Sequence, residues 1–193
     1  MPFSQSREAK IAGPKIERKS KSNHVNQNWY IFYTAPRAEK KAKFELELRG
    51  FEVFLPMIKT TRIWKNRQKK QIDIVLFPSY IFVKTSEKCL DEICRINKIT
   101  MYIHCGGKPS KVSSECVEAI KCMLSLNKEI SVGNDFIEGE TVRIVEGPLA
   151  GYDGVLVEQK SKTKFGIHLK EINQVASIEI CTNVLEKVRI KSL

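Results

Sequence analysis

The sequence is poor in histidine, with three in 193 residues, and has no long apolar run. No stretch reaches the roughly 20 consecutive apolar residues that a membrane-crossing helix needs. The N-terminus lacks the apolar centre of a signal peptide. Both absences lead to the expectation of a cytoplasmic chain with no membrane contact. The six cysteines form no CxxC pair and no framework spacing, so they are read as reduced thiols rather than disulfides. His24, His104 and His168 fall in no ligand pattern with them, and neither a metal nor a cofactor is expected. Paired carboxylates and a nucleophile beside a base are also missing. Gly147-Pro148-Leu149-Ala150-Gly151 lacks the following Lys and Ser/Thr of a phosphate-binding loop. The expected protein is therefore not an enzyme.

What the chain does have is positive charge, +11 overall. It is unevenly placed: residues 1–27 carry +4, residues 28–137 carry +7, and residues 138–193 are neutral. Excess cations are expected where a protein lies along nucleic acid, through a salt-dependent and sequence-independent attraction. Residues 1–27, rich in Lys, Ser, Asn and Gln, read as a disordered basic tail.

The densest apolar run is Ile72 to Val83. Its β-branched and aromatic residues predict strand, and Pro78 divides it into an edge-like first half and a central second half. Tyr80 and Phe82 share one face there, Ile81 and Val83 the other. Two aromatics on one face are either core or a docking surface. Around this run, Trp29–Tyr33 and Phe51–Ile58 predict strands. Ala38–Arg49 predicts a helix closed by Gly50, with Ala42, Phe44, Leu46 and Leu48 on its buried side. Lys59 to Lys70 holds six cations and no acid, and predicts a long β-hairpin tipped near Lys65–Lys69. Its Trp64, with Lys65, Arg67, Lys69 and Lys70, suits contact with single-stranded nucleic acid. Two further helices follow, one holding Leu90 and Ile93, the other capped by Ser113 or Ser114. The order describes an α+β domain over residues 28–126, an antiparallel sheet with helices packed on it.

Residues 127–137 are polar and aperiodic and read as a linker. Residues 138–193 contain short β patterns divided by turn residues, as in a small all-β barrel. Within it, the segment Gly139 to Val155 resembles a KOW motif. Gly147-Pro148 supplies a tight turn, and Gly151 and Gly154 supply backbone freedom. Val155 and Val157 are expected to point together into the barrel.

Trp29-Tyr30-Ile31-Phe32-Tyr33, Phe54-Leu55-Pro56, Phe77-Pro78-Ser79-Tyr80-Ile81-Phe82-Val83 and Gly106-Gly107 resemble the N-terminal (NGN) domain of the NusG family of transcription elongation factors. The Phe-Pro-Ser-Tyr-Ile-Phe-Val motif and the basic hairpin are similar to its specialised RfaH and UpxY-like paralogs, which are antiterminators of particular operons such as polysaccharide loci. The resemblance implies a monomeric, non-enzymatic factor that binds the clamp helices of RNA polymerase. Tyr33, Phe77, Tyr80 and Phe82 occupy the matching aromatic positions. It implies contact with non-template DNA or nascent RNA through Arg37, Lys40, Lys41 and Lys43, with Asn97 and Lys98. It further implies that the KOW barrel recruits a ribosomal protein or termination factor near Ile172. The competing reading is a KOW-containing, ribosome-associated RNA-binding protein, which predicts a basic barrel; residues 138–193 are neutral.

Overall fold

The computed structural model describes residues 27–64, 67–126, 128–133, 137–159, 162–180 and 184–188. Lys65 and the expected tail, apart from Gln27, lie outside them.

Strand β1 (Asn28–Thr34) is the centre of the first sheet. It is followed by helix α1 (Glu39–Leu48), strand β2 (Glu52–Phe54), and the ribbon strands β3 (Met57–Ile63) and β4 (Lys69–Val75). Strand β5 (Tyr80–Thr85), the short helix α2 (Leu90–Cys94) and strand β6 (Ile99–Tyr102) come next. The small strands β7 (His104–Cys105), β8 (Lys108–Pro109) and β9 (Lys111–Val112) lead to helix α3 (Ser114–Ser125). The sheet runs β2-β5-β1-β6, all antiparallel, with β9 on the start of β1.

Register decides the two faces. Ile31 pairs with Phe82 and Tyr33 with Tyr80, so Trp29, Ile31, Tyr33, Tyr80 and Phe82 share one side. Tyr30, Phe32, Ile81 and Val83 take the other side, in one cluster with Ala42 and Leu46 of α1 and Leu90 and Ile93 of α2. Trp29, Ile31 and Phe82 join Val117, Ile120 and Met123 of α3. Both faces are thus covered, which is why β1 and β5 are nearly all apolar.

Helix α1 buries Glu39, Ala42 and Leu46, but Phe44 and Leu48 are 63% and 71% exposed. The expected buried side was half right. At 100° per residue, Phe44 lies about 200° round the helix from Ala42 and cannot share its face. Gly50, at φ 85, closes the helix as expected, with the Phe51 N–H donating to the Leu46 carbonyl at 3.1 Å. The apolar run breaks at Leu76–Ser79, around Pro78, into β4 on the ribbon and β5 in the sheet interior. At the start of α3, Ser113 Oγ accepts from the Cys116 N–H at 3.1 Å.

The second sheet contains β10 (Ile130–Gly133), β11 (Ile137–Ile144), β12 (Asp153–Gln159), β13 (Lys162–Leu169), β14 (Gln174–Ile178) and β15 (Leu185–Lys187). Their order is β10-β14-β13-β12-β11-β15. The stretch read as linker therefore contains a strand: Ile130 pairs with Ile178 and Val132 with Ala176. Four residues are too few for their alternation to show against polar neighbours.

Val155 pairs with Gly166 and Leu156 with Phe165, which puts Val155 and Phe165 on opposite faces. The main core lies on the Phe165 side. Val155 and Val157 point together and are buried, as expected, but they form a separate cluster with Val175 over the hollow left by Gly166 and lie apart from the main core. One apolar cluster runs from Trp29 and Phe82 through α3 to Ile144, Leu149, Phe165 and Ile178, so α3 joins the two sheets.

Candidate functional site

The aromatic side of the first sheet is graded from one end to the other. At the β1 start, Trp29 and Phe54 meet edge to face, their centres 6.5 Å apart, with Lys121 Nζ of α3 5.3 Å from the centre of the Trp29 ring. In the middle, Phe82 packs on Phe54 at 5.8 Å and on Phe77 at 6.0 Å. Phe77 and Phe82 are fully buried. At the far end Tyr33 and Tyr80 cross edge to face at 5.5 Å, both half-buried. Tyr33 also pairs with Met101, which is 43% exposed. Of the four aromatics singled out in the sequence, Tyr33 and Tyr80 therefore reach the surface and Phe77 and Phe82 form the floor beneath.

Met101 was missed, although the alternation of Ile99 to Tyr102 placed it on the side opposite Tyr102. The turn that delivers Tyr80 is tightly tied. Ser79 adopts φ 67, its N–H donates to Glu39 Oε1, and its carbonyl accepts from the Thr34 N–H, both at 2.8 Å.

The expected nucleic-acid residues come from four separate segments. The Ala35 N–H donates to the Lys98 carbonyl at 2.9 Å, which brings the Arg37 turn beside the Asn97–Lys98 turn. Arg37 and Lys98 both hold left-handed backbone, at φ 59 and 81, and both are exposed. Lys40 Nζ reaches the Asp73 carbonyl at 3.5 Å, linking α1 to the ribbon. Lys41, Arg67, Lys69 and Lys70 are exposed, whereas Lys43 pairs with Glu47 at 3.7 Å. The ribbon tip is closed by Trp64 N–H to Gln68 O at 2.9 Å and Arg67 N–H to Trp64 O at 2.8 Å.

In the second sheet Gly147 and Gly151 both take φ 87, and the Gly151 N–H donates to Ile144 O at 2.7 Å. Gly154 serves a different purpose from the one expected: a Cβ there would meet the Gly166 carbonyl at 2.5 Å and the Phe165 ring. Ile172 is half-buried and packs against the main cluster, ahead of left-handed Asn173. Arg143 donates to both Asp153 oxygens, at 2.5 and 2.8 Å, and these bonds hold the Asp153 carboxyl below its ordinary range.

Between α3 and this sheet lies a cavity of about 500 Å³ lined by Cys116, Ala119, Arg143 and His168, among others. Burial, then Glu171 and Glu115, push the Cys116 thiol up to about 12. Cys122 Sγ donates to the Pro148 carbonyl at 3.1 Å across the same seam. Among the described residues no group of His, Cys, Asp and Glu is placed to hold a metal, and no helix is long and apolar enough to cross a membrane.

A helix-backed antiparallel sheet with a basic ribbon, followed by an all-β unit with the Gly147–Gly154 turn, is the architecture of an NGN domain joined to a KOW domain. Residues 27–121 match the family model described as NusG, transcription termination factor nusG. The chain is 27% identical over 179 residues to the transcription termination/antitermination protein NusG of Halalkalibacterium halodurans, covering 85% of this chain and all of that one. It is 27% identical over 163 residues to the NusG of Bacillus subtilis, covering 75% and 90%. A solved structure of Thermotoga maritima NusG, concerned with domain interaction, overlays with a TM-score of 0.48 at 20% identity, over 85% of this chain and 98% of that one. The family-model match over the first domain and the NusG relatives, aligned over most of the chain, together support a factor of the NusG type.

Proposed function

We propose that this protein is a transcription termination/antitermination factor of the specialised, UpxY-like kind, acting in the cytoplasm as a monomer. In this reading it docks on the clamp helices of RNA polymerase through Tyr33, Tyr80 and Met101 and keeps the enzyme processive on particular operons. The observation that carries the reading is the half-buried Tyr33–Tyr80 pair on a sheet face otherwise closed by α3. Two rigid aromatics over a packed floor of Phe77 and Phe82 are the kind of anchor that dominates an interface, at roughly 2 kcal/mol or more each.

The connected basic surface of Arg37, Lys40, Lys41, Asn97, Lys98 and the ribbon supports contact with non-template DNA or nascent RNA beside the docked polymerase. The segment around Ile172 in the KOW domain is the proposed contact for a ribosomal protein or termination factor. The chemistry needs no cofactor, because the protein's work is bridging.

Nuclease-treated pull-down of core polymerase from the native host tests the docking. Wild type retains polymerase, and Tyr80→Ala, still folded by circular dichroism, loses it. Retention by both proteins overturns the docking assignment. Recovery of ribosomal subunits in place of polymerase moves the function to the ribosome.

A further inference from the structure

Strand β14 is built as an interior strand: Val175, Ala176, Ser177 and Ile178, four of its five residues, are buried. One neighbour, β13, runs its whole length, from Leu169 opposite Gln174 to Phe165 opposite Ile178. The other neighbour is only β10, in which Ile130 is the single buried residue of four. Ile130 and Val132 face the main cluster beside Ile178 and Ala176, while Ser131 stands opposite Ser177 on the other side. Lys164 Nζ donates to Ser131 Oγ at 2.8 Å and Ser177 Oγ to the Ser131 carbonyl at 3.4 Å. The donors belong to the sheet, and the acceptors to the strand seated on it.

Strand β10 also lies in the connection between the two sheets. Four residues, 126–129, separate it from α3, and three, 134–136, from β11. Neither neighbour has to unfold when β10 leaves β14. The connection then becomes eleven residues, 126–136, with a reach of roughly 36–40 Å in place of roughly 14 Å for 126–129. A four-residue strand with one buried anchor, set on an edge as buried as an interior strand, is a removable cover.

We infer that the β14 edge is a docking site for an extended segment of a partner protein, and that β10 is the chain's own occupant, which the partner's segment displaces. The binding mode is strand addition, in which backbone hydrogen bonds supply affinity and alternate side chains supply specificity. The sequence of β10 shows the chemistry that fits. It places a β-branched apolar residue in the Ile130 seat, a hydroxyl residue beside Lys164 and Ser177, a second β-branched residue, and a glycine opposite Val175. A nucleic acid does not fit, because the ladder needs amide donors and acceptors in register. The inference goes beyond the Ile172 contact proposed above and does not depend on it.

The test uses the full chain and a labelled peptide with the sequence of residues 127–134 as the strand probe, read by fluorescence anisotropy. Ile130→Asp removes the anchor of β10, and Ser131→Pro disrupts its ladder; circular dichroism checks that each variant is folded. A tethered strand competes at an effective concentration of order millimolar, so wild type is expected to bind the probe at least about tenfold more weakly than either variant. A probe carrying the same Ser131→Pro change binds none of the three. Hydrogen exchange read by mass spectrometry is expected to be faster over 174–178 in both variants and to slow again when the probe is added.

Equal binding of the probe to wild type and both variants means that β10 does not cover the site, and overturns the inference. Faster exchange over 174–178 with no probe bound means that the edge opens without accepting a strand, and overturns it as well. Unchanged exchange in both folded variants overturns β10 as the cover. Wild-type dimers that the probe disperses assign the edge to β10 of a second copy and overturn a partner protein as its occupant.

Discussion

The backbone N–H of Ser79 donates to Oε1 of Glu39 at 2.8 Å, so the first turn of α1 holds the turn that presents Tyr80. Glu39 is only 6% exposed, a buried carboxylate on the inner side of the helix. Glu39→Ala leaves the Ser79 N–H without its acceptor and is expected to cost about 1–3 kcal/mol of stability. Urea unfolding reads this loss directly. Glu39→Gln keeps an acceptor oxygen and is expected to recover most of it. An alanine variant as stable as wild type would mean that water replaces the bond at no cost.

Phe82 and Tyr80 are two residues apart on one face, yet their environments differ. Phe82 is wholly buried and Tyr80 half-buried. Phe82→Ala is expected to lose about 3–5 kcal/mol of folding stability, the range for emptying a packed aromatic site. Tyr80→Ala is expected to lose less than half as much while abolishing retention of polymerase. Equal destabilisation of the two would make Tyr80 part of the core.

Glycines at 147 and 154 fail differently on substitution. At Gly147 nothing stands within 4 Å of an added Cβ, but φ is 87. Gly147→Ala is therefore expected to cost about 1–2 kcal/mol of backbone strain. At Gly154 the Cβ would meet the Gly166 carbonyl and the Phe165 ring, so β12 and β13 must separate. Gly154→Ala is expected to cost about 3 kcal/mol or more, at the upper end for overpacking. Urea melts that rank the two the other way would refute this packing of Phe165.

Cys116 reports on the seam between α3 and the second sheet. Its thiol is pushed up to about 12, chiefly by burial, while Cys105 is exposed. Since the thiolate is the reactive form, iodoacetamide at mildly alkaline pH is expected to label exposed Cys105 faster than half-buried Cys116. The sign of the pH effect follows. A raised thiol pKa adds stability that is fully present below the unfolded value of about 8.5 and is lost as pH rises towards the folded one. Alkaline destabilisation beginning near that value, and absent in Cys116→Ser, is the expected result. Labelling of Cys116 at the rate of Cys105 would mean that the seam is open in solution.

Much of this was legible in the residues. The strand character of Trp29–Tyr33 and Tyr80–Val83, the Ser113 cap, the Gly50 stop and the turn at Gly147 are local matters, decided by side-chain shape and backbone freedom over a few residues. Phe44 and Leu48 misled because apolar residues two apart, Ala42 with Phe44 and Leu46 with Leu48, were read together without helical phase. Val155 and Val157 share a buried face as expected, but alternation does not tell which of two covered faces holds the main core. The four-residue strand β10 was too short to announce itself before its partner β14 was known.

By itself the amino-acid order determined the two kinds of domain, the location of the positive charge and the aromatic pattern of β5, because these depend on composition and local period. Tertiary structure decided the rest. It buried Phe82 between Phe54 and Phe77 and left Tyr80 half-buried against Tyr33 at the end of the face. It gathered Arg37, Lys98, Lys40 and the ribbon onto one surface through the Ala35–Lys98 and Lys40–Asp73 contacts. Such contacts join residues tens of positions apart, and only a folded chain brings them together.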